Sequence, residues 1–281
     1  MYKKISVHEV KQLIKKCIYN NFLEFDTSPS YKKADKILLE FRKKNPKILI
    51  NTKCGWDLNM NRTYDIDKIK RGIENTLEKF GKLNVLQLHN PRNEIKNWDL
   101  IIEMFNNYKK RKLINFSGIS LARNFYFPSK ILNSFDFIQD EFNLLRIDPI
   151  KKLKNYKNIL AARSILANGI LTDGFQSQSF YQKNDHRSSW LKGERKKNIF
   201  IQKEIIRKLS KDNIHQFAIN FSMSYQIFDK FIFGFRTKKQ FEIFINSIKN
   251  FKPLSKKMSQ KIILLHKKNK FFLNKKLRYN N

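Results

Sequence analysis

Apolar residues recur at helical spacing at Val7, Val10, Leu13, Ile14, Cys17 and Ile18, which predicts an amphipathic helix at the start of the chain. Phe22 to Phe25 reads as a short buried strand, followed by the loop Asp26-Thr27-Ser28-Pro29-Ser30-Tyr31. A helix from about Lys33 to Lys43 carries Ile37, Leu38 and Phe41, and Asn45-Pro46 closes it. Ile48 to Thr52 is the next strand. Asp65 then caps a helix bearing Ile66, Ile69, Ile73, Leu77 and Phe80, and Gly81 ends it.

The alternation continues along the chain. Strands are expected at Val85 to Leu88, Leu113 to Ser120, Phe135 to Gln139, Lys157 to Arg163 and Lys230 to Gly234. Helices are expected at Trp98 to Tyr108, Pro128 to Asn133, Phe200 to Leu209, Ile214 to Ser222 and Gln240 to Ile248. Residues 252–281 form a basic C-terminal segment. Apolar runs this short, separated by helices, indicate a parallel sheet covered by helices. Seven strands point to a (β/α)8 barrel of the TIM type, incomplete or truncated at its N-terminal end. The expected organisation is one barrel domain over residues 1–281. A doubly wound sheet is disfavoured, because no Gly-rich dinucleotide fingerprint follows any strand.

Composition narrows the class. With 281 residues and 41% hydrophobic side chains, the chain can bury a large core. No run approaches the ~18 apolar residues of a membrane span, and the N-terminus has no secretory pattern. Cys17 and Cys54 are too few for a disulfide scaffold or a zinc cluster, so no metal and a cytoplasmic setting are expected. The formal charge of +34 favours polyanions in general. The lysines are scattered throughout the chain, however, and no nucleic-acid-binding motif accompanies them, so no specific nucleic-acid partner is expected.

Four polar residues interrupt the apolar strand ends. Asp26 ends the first strand and Tyr31 lies in the loop behind it; Lys53 ends the second strand and His89 the third. Singly, each has an ordinary reading as a turn former, surface residue or satisfied core group. Together, on the rim where barrel strands meet their loops, they make a carbonyl-reducing set. Reduction of a carbonyl by hydride requires a proton and electrostatic support at the developing alkoxide. A phenol of ordinary pKa about 10 becomes a better acid beside an ammonium, which a carboxylate can hold in place. An imidazole can orient the carbonyl.

These segments resemble the aldo-keto reductase family, in its bacterial type. Phe25-Asp26-Thr27-Ser28-Pro29-Ser30-Tyr31, Thr52-Lys53-Cys54-Gly55 and Leu88-His89-Asn90-Pro91 are similar to the segments carrying its aspartate and tyrosine, its lysine and its histidine. Gly118-Ile119-Ser120, the strand containing Gln139, and Ala162-Arg163-Ser164-Ile165-Leu166-Ala167-Asn168-Gly169 continue the likeness, as do Asp185-His186-Arg187-Ser188 and Phe233-Gly234-Phe235-Arg236-Thr237-Lys238.

The resemblance implies an eight-stranded barrel that uses NADPH, with NADH as the alternative, to reduce an aldehyde, ketone or sugar-like carbonyl. Tyr31 would be the general acid, Lys53 and Asp26 would tune it, and His89 would orient the substrate. Ser120 and Gln139 would hold the nicotinamide carboxamide, and Arg163 would lie beside its pocket. Gly234, Arg236 and Lys238 would meet the cofactor phosphate. The chain departs from the family in starting at the helix after the usual first strand. It also has Lys32 after Tyr31, Leu121 after Ser120, and Ile243-Phe244 where an adenine-reading pair is common. These departures motivate the alternative of a non-catalytic barrel acting as a nucleotide-binding or protein-interaction module. A basic surface-binding factor is the third reading. The expected partner is a small carbonyl compound, with no membrane and with the chain a monomer or weak homo-oligomer.

Overall fold

The structure is a computed structural model describing residues 5–31, 33–92, 94–122, 127–176, 181, 185, 187–210 and 213–269. Lys32, His186 and the segment 270–281, all drawn on in the sequence reading, lie outside the described residues.

Seven strands form one sheet in sequential order: β1 Glu24–Asp26, β2 Leu49–Cys54, β3 Leu83–His89, β4 Ile114–Ser120, β5 Phe137–Glu141, β6 Ile159–Arg163 and β7 Lys230–Phe231. Pairing from β1 through β5 is parallel. Helix α1 Val7–Tyr19 precedes β1; α2 Lys33–Lys44, α3 Ile66–Phe80 and α4 Trp98–Lys110 separate the early strands, and the short α5 Ser129–Leu132 and α6 Asp148–Leu153 follow β4 and β5. Between β6 and β7 lie α7 Arg187–Trp190, α8 Gly193–Arg207 and α9 Ile214–Met223; α10 Lys238–Lys249 and α11 Lys256–Asn269 come last. Sequential parallel strands joined through helices make this the incomplete (β/α) barrel that the alternating pattern predicts. No helix among the described residues is long and apolar enough to cross a membrane.

The chain divides into two compact bodies. One comprises Val7–Asp140 with Tyr156–Ala161. Its core is built by strands whose apolar residues are buried on both faces, including Ile50, Val85, Leu86, Leu88, Ile119 and Ile138. Local signals set the helix ends. The Asp65 side chain accepts from Lys68 N at 2.9 Å, and Gly81, at φ +71°, turns the chain out of α3 with its N–H on Leu77 O. Ile69, Ile73, Leu77 and Phe80 form the buried stripe of α3.

The second body comprises Glu141–Asn155 and the described residues of Met1–Ser6 and Ala162–Asn281. Aromatic packing dominates it: Phe142 contacts Phe221, Tyr225 and Phe228 at ring separations of 5.4, 5.4 and 4.7 Å. The end of β6 meets the chain beyond β7 through Ile232 N to Ala162 O at 2.8 Å. Within residues 252–281, α11 docks through buried Ile262 and His266, whose Nε2 lies 2.8 Å from Leu144 O.

Candidate active site

Register places the polar strand ends on one rim of the first body. Asp26 pairs with Asn51, Lys53 with Gln87, Gln87 with Gly118, His89 with Ser120, and Ser120 with Gln139. Because alternate residues of a strand share a face, these registers carry Lys53, Gln87 and Gln139 toward Asp26. The Lys53 ammonium donates to Asp26 Oδ1 and, at 3.0 Å, to the carbonyl of Thr27. Asp26 Oδ2 accepts from Gln87 Nε2 at 3.0 Å and from Gln139 Nε2 at 2.9 Å. Ser120 Oγ in turn donates to Gln139 Oε1 at 3.0 Å.

The ion pair is largely withdrawn from water, with the Lys53 side chain 3% and that of Asp26 13% exposed. Separating two such charges without replacing the contact is far more costly than breaking a surface pair. The amides on Oδ2 spread the carboxylate charge and fix its plane.

Tyr31 stands on the loop that leaves β1. Thr27 N bonds Asn51 O at 2.8 Å, and Thr27 Oγ1 donates to Asp35 of α2 at 3.0 Å. A single 3-10 turn, Pro29–Tyr31, then closes with Tyr31 N on Ser28 O at 2.8 Å. Tyr31 is 57% exposed. Lys53, through Thr27 O, is thus tied to the root of the loop that presents Tyr31.

His89 lies under the loop that follows β2. Its ring is 4.8 Å from Trp56, and the Arg62 guanidinium covers the Trp56 ring at 5.7 Å. Arg62 Nη1 also donates to the carbonyls of His89 and Asn90 at 2.9 and 3.1 Å. Tyr64 adds a bond from its hydroxyl to Asn90 O at 3.3 Å. The next helix runs close beneath: a Cβ on Gly72 would lie 2.7 Å from Trp56 O.

Sequence reasoning singled out five of these interior residues and missed Gln87. The signal was a glutamine inside the run Leu83 to Leu88, where an inward polar group requires a partner. Trp56, Arg62 and Tyr64 were missed as well, because nothing local marks a long loop as folding back over a strand end.

The remaining candidates belong to the second body. Arg163 is half-buried at the end of β6, its carbonyl accepting from Phe142 N at 3.1 Å. Behind it, Ser164, Ala167 and Asn168 adopt φ of +58°, +47° and +57°, a conformation costly for residues with a side chain. Two side chains brace this turn: Asn143 Nδ2 donates to Ser164 O at 3.0 Å, and Arg187 Nη1 to Asn168 O at 3.1 Å. Asp185 fixes Arg187 with both oxygens, at 3.0 and 2.8 Å.

Gly234 is exposed, and apart from its chain neighbours no described residue comes within 4 Å of where a Cβ would stand. Arg236 N bonds Gln240 Oε1 at 2.8 Å, and Thr237 caps α10 by accepting from Gln240 N at 3.1 Å. Lys238 is exposed at the first turn of that helix. Phe244 is buried against Phe233 and Phe235 at 4.5 and 4.8 Å, so in this chain the position serves packing.

The described residues of the first body offer what a nicotinamide carboxamide requires. Ser120 and Gln139 are buried, and each keeps hydrogen-bonding capacity beyond its present contacts.

The Aldo/keto reductase family model matches residues 1–264. Among solved structures, the chain is similar to a glycerol dehydrogenase from Gluconobacter oxydans, with 16% identity and a TM-score of 0.76 over 98% of this chain and 89% of that one. It is also similar to an aldo-keto reductase from Bacillus halodurans, with 17% identity over 93% of this chain and 88% of the other. The TM-scores are 0.70 against the apo form and 0.71 against the holo form. A search of the curated proteins finds no match.

Proposed function

Because the chain belongs to the aldo/keto reductase family, we propose that it is an NAD(P)H-dependent oxidoreductase reducing an aldehyde, ketone or sugar-like carbonyl to an alcohol. The observation that carries this reading is the buried Lys53–Asp26 pair bonded to the root of the Tyr31 loop. When bound, the reduced nicotinamide supplies a hydride to the carbonyl carbon. Tyr31 gives its phenolic proton to the carbonyl oxygen, so that alcohol and oxidised cofactor are the products. The Lys53 ammonium favours the phenolate left behind, and Asp26 holds that ammonium in place. His89, on the face of Trp56, orients the carbonyl. Ser120 and Gln139 take the carboxamide. Arg163, Gly234, Arg236 and Lys238 are assigned to the cofactor by resemblance, and the local positive charge favours NADPH.

The test is binding of NADPH and NADH, followed by nicotinamide fluorescence, and then carbonyl-dependent oxidation of the bound cofactor. Tyr31→Phe is expected to leave cofactor affinity unchanged and to lower kcat by at least about a hundredfold. Binding with no turnover by the wild-type chain would leave a nucleotide-binding module instead of an enzyme.

A further inference from the structure

We infer that Gln87 is a positioning residue of the reaction, holding Asp26 Oδ2 so that Oδ1 stays on Lys53 when Gln139 is engaged by the nicotinamide. This rests on the reductase reading above. In the structure two amides, those of Gln87 and Gln139, share Oδ2 at 3.0 and 2.9 Å. Gln139 is also the residue assigned to the carboxamide, so it has a second demand on it once the site is loaded. Gln87 has none: it lies within β3, wholly buried, between Lys53 of β2 and Gly118 of β4. It is the neutral donor that remains on the carboxylate throughout the cycle.

Two further observations favour this role over a packing role. Val85, Leu86 and Leu88 around it are apolar and buried, and the Oε1 of Gln87 is buried without a hydrogen-bond partner among the described residues. Such an orphan is destabilising, so the fold alone would be better served by an apolar side chain. The neighbouring strand also makes room for the glutamine. A Cβ on Gly118 would stand 2.9 Å from Gln87 Cγ. The amide is therefore accommodated at some cost to stability, and the contact it gains is the one on Asp26.

Two substitutions test this. Gln87→Met keeps the length and loses the donor; it is expected to lower kcat between about tenfold and a hundredfold while KM for the carbonyl and Kd for the cofactor change by less than about twofold. Gln139→Met, which removes the other donor, is expected to weaken cofactor binding. Gln87→Glu supplies the sharper readout. Its carboxylate repels Asp26 at pH 8, where kcat should match that of Gln87→Met. Burial and the Asp26 charge favour protonation of the introduced acid, whose O–H then donates as the amide did, so turnover should recover below about pH 6. A residue that only fills space would show no such recovery.

Wild-type kcat in Gln87→Met, or parallel pH profiles for the two variants, would overturn the inference. The reductase reading is checked separately. A wild-type chain that oxidises neither cofactor with any carbonyl overturns that reading and the positioning role with it. Thermal unfolding still reports the Asp26 contact in that case: the midpoint of Gln87→Glu should rise relative to Gln87→Met as the pH falls.

Discussion

Gly118 shows how a single missing side chain serves the site. Besides Gln87 Cγ at 2.9 Å, a Cβ there would meet Val85 Cγ1 at 3.1 Å and Phe137 O at 3.3 Å. Two strands crowd this position, so Gly118→Ala is expected to lower the unfolding free energy by about 1–3 kcal/mol and to reduce kcat toward that of Gln87→Met. Adding Gln87→Ala should recover stability without recovering turnover, since it relieves the crowding and deletes the donor. Additive losses in a denaturant and kinetic double-mutant cycle would show that the two positions act independently. The same neighbourhood shows which parts of the site a sequence can reveal. Asp26, Lys53, His89 and Ser120 stand out because each ends an apolar run at the loop side of a strand. Gln87 lies inside such a run, and its partner is 61 residues away, so only the strand register identifies its use.

Helix α3 shows the difference between intrinsic preference and local packing. A glycine inside a helix normally costs about 1 kcal/mol relative to alanine, so Gly72→Ala would stabilise an isolated helix. Here the new Cβ would lie 2.7 Å from Trp56 O, a backbone atom held by the loop over His89. The crowding, worth about 1–3 kcal/mol, is expected to win. Gly72→Ala should therefore lower the urea midpoint, change tryptophan emission and raise KM for the carbonyl; a stabilised protein with unchanged KM would show that the loop yields freely. Strands and long helices were legible from periodicity, most of them to within about two residues at their ends, the usual uncertainty. Short, mostly apolar segments between amphipathic helices leave few alternatives. The helices α6, α7 and α11 were not anticipated. The first two are too short to show a period, and α11 has lysines interrupting its apolar face. Only Ile262, His266 and their neighbours in the second body settle which side of α11 is inward.

Across the whole chain, 58 basic residues face 24 acidic ones, and their mutual repulsion opposes folding at low salt. Exposed charges separated by more than about 8–10 Å are screened at physiological ionic strength, so the unfolding midpoint at pH 7 should rise between low and moderate salt. His266 adds a contribution that salt reaches poorly. Burial lowers its pKa to about 4, and the Leu144 carbonyl and Asp148 only partly oppose this. The unfolded chain therefore takes up a proton near pH 6.5 that the folded chain refuses until about pH 4. Stability from this group is complete above pH 6.5 and falls as the pH drops toward 4, by on the order of 2 kcal/mol at pH 5. His215, whose pKa burial also lowers, acts in the same direction. Urea unfolding at pH 7 and pH 5, each at two salt concentrations, separates the two effects. Salt should recover the loss from surface repulsion, while an acid-dependent loss persists in the wild type and shrinks in His266→Gln. An acid loss fully reversed by salt would assign it to repulsion among surface charges and not to the buried imidazole of α11.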